Sequence, residues 1–224
     1  MKKLCFSLLL LYATLAVDAQ VFRIDEFKLS ALENTFGIYA DYDCNGSNEF
    51  YFDMQASIET QNVQMRLNSN SINDFISSLR DANKVFVSWS ETTQENNISS
   101  VSKDIYAPFF NEDMYFSVGG IWYEKRKVRL KCRFLVSEEG SCFMVLQSNH
   151  IESETMVDAH SYSEGNSLHN LTGEWSTGNE AFSAICPGAF LVFSSSEEIE
   201  MFIGKLYKAA EWKTKNIEQG FLLK

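Results

Sequence analysis

Asp41-Tyr42-Asp43-Cys44-Asn45-Gly46-Ser47 is the stretch of this chain best suited to hold an ion. It matches the first half of the calcium-loop pattern D-x-[DN]-x-[DN]-G. Side-chain oxygens of Asp41, Asp43 and Asn45 would converge on a tight bend that the glycine permits, and a hard dication exchanges water for such oxygens. The second half of the pattern fails, because its twelfth position is Phe52, and Glu49 or Asp53 would have to supply the late carboxylate. The same residues also read as an ordinary hairpin turn, since Asn-Gly is the strongest short turn signal. Calcium is therefore the one cofactor the sequence suggests, and a calcium-stabilised structural domain is the role it would support.

The three histidines, His150, His160 and His169, fall within twenty residues of one another, among Glu152, Glu154, Asp158 and Glu164. Imidazole and carboxylate together are zinc ligands, and such a set would make the chain a metal-dependent hydrolase. The spacing contains no H-E-x-x-H, and a long polar loop is a poor platform for fixed ligands. Gly165-Asn166-Ser167-Leu168-His169 starts like a nucleophile elbow but ends in histidine where glycine is needed. No phosphate-binding or dinucleotide-binding glycine pattern occurs, so no catalytic residue is assigned. Trp175 stands in the same polar stretch, and an exposed tryptophan there would stack on a sugar or anchor a protein partner. Its alternative role is to staple the loop to the body. The leading expectation is an exported, non-enzymatic binding module whose partner is a protein or a glycan.

Export follows from the first nineteen residues. Lys2 and Lys3 precede an apolar run from Leu4 to Ala16, and Val17-Asp18-Ala19 offers a cleavage site before Gln20. The run is shorter than the roughly 20 residues a membrane helix needs, and no later apolar stretch is long enough to span a bilayer. Residues 1–19 read as a signal peptide, which places residues 20–224 in the periplasm or outside the cell. The formal charge of −11 argues against nucleic acid and anionic lipid as partners.

Cys44, Cys132, Cys142 and Cys186 remain after the signal. Aligning the apolar faces of the strands around 128–136 and 142–147 puts Cys132 opposite Leu146 and Cys142 opposite Val136. The two sulfurs then lie about four residues apart, roughly 13 Å at strand rise. A disulfide needs Cα atoms within about 7 Å, so these two read as core thiols. A Cys44–Cys186 bridge stays open.

Hydrophobic residues make up 45% of the chain, enough for a packed core. Ile72, Phe75, Ile76, Leu79, Ala82, Phe86 and Trp89 recur at helical spacing, and so do Ile199, Phe202, Ile203, Leu206 and Ala209. Ser71 with Asp74, and Ser195 with Glu198, mark the starts. Strands are expected around 36–42, 50–56, 63–67, 114–123, 128–136, 142–147, 181–185 and 189–193, the last two joined as a hairpin by Cys186-Pro187-Gly188. Gly119-Gly120 reads as a bulge inside a strand. The matching order of strands and helix suggests an internal duplication, with halves of about 20–110 and 111–224 and a polar insertion at 149–179. The expected fold is α+β: antiparallel β-meanders with two long amphipathic helices packed on one face. A β-sandwich with peripheral helices is the alternative.

Overall fold

Period-two alternation builds strands along most of the chain in the computed structural model, which describes residues 20–42, 49–107, 111–157 and 183–222. Strands β1 (Gln20–Leu29), β2 (Asn34–Tyr42), β3 (Glu49–Ala56) and β4 (Val63–Asn68) precede helix α1 (Ser71–Glu95). Then come β5 (Val101–Ile105), β6 (Asn111–Val118), β7 (Ile121–Val136), β8 (Cys142–Ser148) and the short β9 (Ile151–Ser153) and β10 (Met156–Val157). Finally β11 (Ala184–Cys186) and β12 (Ala189–Phe193) lead into helix α2 (Ser196–Leu222).

The strands do not form the expected meanders with helices on one face, nor a sandwich. Six of them, in the order β3, β12, β8, β7, β6, β4 and back to β3, close an antiparallel barrel. Two long-range pairings make the closure. β4 joins β6 across α1, with Gln64 opposite Tyr115 and Arg66 opposite Asp113. β12 joins β3 through only two pairs, Ala189 opposite Ala56 and Phe190 opposite Gln55. The β1–β2 hairpin hangs on the same edge of β3 as β12, so that edge forks. β2 takes Phe50 to Phe52 and β12 takes Gln55 and Ala56.

Local expectations fare unevenly. Gly119 and Gly120, at φ 59° and 84°, are the two central residues of the β6–β7 hairpin rather than a bulge. Glycine adopts such a left-handed pair without strain. The expected hairpin across Cys186-Pro187-Gly188 also fails: β11 pairs with β9, and β12 pairs with β8 and β3. The β7–β8 register, by contrast, puts Cys132 opposite Leu146 and Val136 opposite Cys142, and both cysteines are free thiols. Cys186 is a buried free thiol that donates to the Gly188 carbonyl; Cys44 lies outside the described residues.

One side of the barrel strands is apolar and faces the helices. Phe52 of β3 meets Phe75 of α1 and Phe202 of α2, and Phe134 of β7 meets Phe86 and Trp89. These rings belong to one continuous core. The start of α2 follows the expected Ser195–Glu198 pattern, and that of α1 departs from Ser71–Asp74. At α1 the N-cap residue is Asn70, whose side chain makes no cap bond, and Asn68 Oδ1 upstream accepts the Asn70 and Ser71 amides. At α2, Ser195 Oγ accepts the Glu198 amide, while the Glu198 carboxylate accepts the Ser194 and Ser30 amides, tying β1 to the helix.

Candidate functional site

The other side of β3, β4, β6 and β7 is polar, and its residues line up in cross-strand rows. Tyr51, Arg66 and Asp113 form one row; Asp53, Gln64, Tyr115 and Glu124 form the next. Ser117 and Trp122 face each other in a third row, with Asn62 bonded to Ser117. A period-two set of polar residues normally marks a solvent face. Here Gln64 is 4% exposed and Tyr51 1%, so the polar side is itself largely covered.

Asp53 sits where β2 leaves β3. Its Oδ2 accepts the Gly37 amide at 2.9 Å and the Tyr39 hydroxyl at 3.0 Å, and its Oδ1 accepts Gln64 Nε2 at 3.0 Å. The carboxylate thus takes over an amide that the fork strips of a strand partner. Gly37 allows this approach, because a Cβ there would overlap the Tyr39 hydroxyl.

Around Asp53 opens a cavity of roughly 490 Å³. Its wall comes from the start of β2, the end of β3, the β3–β4 turn and Trp122 of β7. Gln61 in that turn donates to the Ile185 carbonyl at 2.9 Å, fastening the turn to β11. Asn62 and Ser117 exchange backbone and side-chain bonds at 2.9 and 3.0 Å, fastening it to the β6–β7 hairpin. Ile58, Ile121 and Ile185, all exposed, belong to the same segments. The Oε1 atoms of Gln61 and Gln64 are buried without a hydrogen-bond partner.

Beyond the cavity the polar side holds a charge network. The Arg66 guanidinium contacts Glu49 at 3.4 Å, Glu124 at 3.2 Å and Asp113, and lies 5.4 Å from the centre of the Tyr115 ring. Tyr51 donates to Glu49, Tyr115 to Glu124, and the Lys127 amide to Asp113. Burial alone would lower the Arg66 pKa, but the bond to Asp113 and the neighbouring Tyr115 and Glu49 hold it above its ordinary value. Each carboxylate receives at least two donors, the pattern of a structural network rather than of a reactive pair.

Glu112 stands at the edge of this network, bonded to Ser71. Burial, with Asp113 and Asp74 nearby, pushes its carboxyl up to about 7, against the Ser71 bond and Arg66. A raised carboxyl pKa favours the folded state below the unfolded value, and that benefit is lost as pH rises through the folded value. Between pH 5 and 8 the wild type should therefore lose stability relative to Glu112→Gln. Full conversion at 1.36 kcal/mol per unit overstates a partly solvated group, so the expected loss is about 1–2 kcal/mol. Urea melts of both proteins across that range check it; parallel curves would refute it.

The sequence-selected residues are not brought together by the described structure. Asp41 belongs to β2, opposite Val21, while Asp43 and Asn45 lie outside the described residues. His150 is exposed between β8 and β9, and His160, His169 and Trp175 lie outside the described residues. Among the described residues no group of three or more His, Cys, Asp or Glu is placed to share a metal, and no helix is long and apolar enough to cross a membrane. Of the residues that line the cavity, Asp53 was visible as a late carboxylate for the calcium loop and Trp122 as an ordinary strand tryptophan, while Gln61 and Gln64 carried no signal. Comparison with known families, with curated proteins and with solved structures finds no match to this chain.

Proposed function

We propose that this protein is an exported, non-enzymatic binding module whose ligand occupies the cavity beside Asp53 and Trp122. The observation that supports it is a polar cavity carrying an aromatic wall and two glutamines with unpaired buried carbonyls. Buried polar groups are nearly always paired, so a bound ligand, or ordered water it displaces, completes the site. Its volume falls within the roughly 300–1,000 Å³ of small-molecule sites. The Asp53 carboxylate is engaged in internal hydrogen bonds, which suits holding a ligand more than transforming one.

The test is a set of thermal melts of the mature chain against amino acids, short peptides, polyamines, nucleosides and sugars. One class should raise the melting temperature of the wild type and leave Trp122→Ala unmoved. A ligand at about 100 times its Kd adds roughly 2.7 kcal/mol, a rise of about 5–11 °C for a chain of this size. The bound compound should be recovered unchanged. Flat melts with every class would remove the reading, and a chemically altered ligand would replace the module with an enzyme.

A further inference from the structure

We propose that the cavity beside Trp122 binds a neutral glycan, one sugar ring lying against the indole with its hydroxyls on the surrounding amides. This rests on the binding-module reading and names its ligand class.

The charges of the wall come first. Asp53 and Glu59 contribute carboxylates, and among the described residues no lysine, arginine or histidine lines the cavity. An anionic ligand would lose its hydration there and meet two carboxylates instead of a cation, which is unfavourable. Phosphorylated and acidic ligands are disfavoured on that ground.

The hydrogen-bonding capacity then separates the neutral and cationic ligands. Gln64 Nε2 donates to Asp53 Oδ1, and Gln61 Nε2 donates to the Ile185 carbonyl. Both partners are acceptors, so the orientation of each amide is set by its bond. The orphan on each glutamine is the carbonyl oxygen. Both glutamines line the cavity, and a ligand O–H is the kind of donor these acceptors lack. The wall also offers donors. Asn34 Nδ2 uses one N–H on Gln55 Oε1, and Gln55 Nε2 uses one on the Ala56 carbonyl, leaving a second N–H on each. An ammonium has three donors and no acceptor, so it cannot answer those amides. A hydroxyl donates and accepts at once and fits both kinds of partner.

Trp122 supplies the surface that neither amides nor carboxylates provide. The C–H face of a sugar ring carries partial positive charge and packs on the negative face of an aromatic ring. Trp122 is half-buried, which holds the indole in place while leaving part of it on the cavity.

Isothermal titration of the mature chain decides the matter. The neutral probes are glucose, galactose, mannose, N-acetylglucosamine and their oligomers. Glucuronate and N-acetylneuraminate form the acidic arm, lysine and spermidine the amine arm. A neutral probe should bind, at least tenfold more weakly to Trp122→Ala and within about threefold to Trp122→Phe. Asn34→Ala, a change at an exposed position, should weaken binding about threefold or more and serves if Trp122→Ala does not fold. Trp122-dependent binding in the acidic or amine arm alone would overturn the glycan assignment and leave a binding module. Neutral-sugar binding unaffected by both variants would overturn the location. No binding in any arm, together with flat melts across the wider panel, would overturn both.

Discussion

Replacing Arg66 with methionine should cost about 3–5 kcal/mol, the range for breaking one partner out of a buried ion network. Arg66 contacts the carboxylates of Glu49, Glu124 and Asp113, and the Glu124 side chain is only 9% exposed. Without the guanidinium these carboxylates keep their neutral donors, Tyr51, Tyr115 and the Lys127 amide, and among the described residues a single ion pair, Arg126 to Glu124 at 3.3 Å. Glu49 and Asp113 keep about a quarter of their side-chain surface in water, which places the loss near the lower end. At about 2–4 °C per kcal/mol, the melting temperature should drop by roughly 6–12 °C. The double variant Arg66→Met with Glu124→Gln should recover part of the loss, a coupling that a double-mutant cycle reads directly. A loss with no recovery would mean that Arg66 matters through packing on Tyr115 instead.

That network shows where the chain was legible and where it was not. Tyr51, Asp53, Arg66 and Tyr115 alternate with apolar neighbours, and such alternation identifies strands without identifying what covers their polar side. The helix stripes from Ile72 to Phe86 and from Ile199 to Ala209 were readable, because helical spacing is a local property. Barrel closure was not, because its seam is Ala56 against Ala189 and Gln55 against Phe190, residues that carry no pairing signal of their own. The β4–β6 join spans a whole helix, so no turn sequence announces it. The Gly119-Gly120 turn misled for a different reason. Apolar residues flank it on both sides, and its hairpin shows in the positive φ values and in the pairing of Val118 with Ile121. The chosen sites followed sequence clustering of liganding side chains. The cavity instead gathers Asp53, Gln64 and Trp122 from three strands through cross-strand register, which no single segment displays.

Phe202→Ala should be the most damaging single truncation on α2, at about 3–5 kcal/mol. The ring is fully buried and lies 4.6 Å from Phe27, 5.2 Å from Phe52 and 5.8 Å from Phe193, centroid to centroid. Those three rings belong to β1, β3 and β12, so one helix side chain holds both strands of the two-pair seam and the edge hairpin beside it. Pairs of this kind add about 0.5–1.5 kcal/mol beyond area burial. Met201, the preceding residue, is 36% exposed, and Met201→Ala should change stability by less than about 0.5 kcal/mol. Adjacent positions on one helix would then differ roughly tenfold in effect. The location of the damage follows from the seam as well. β7 is held by β6, β8 and β5 along its length, whereas β12 meets β3 at two residues. Amide exchange in Phe202→Ala should therefore accelerate in β12 and at Gln55 and Ala56 before it accelerates in β7, since local opening starts where fewest contacts resist it. Uniform acceleration across all strands would show that the barrel opens only as a whole and that the seam, short as it is, shares its cooperativity with the core.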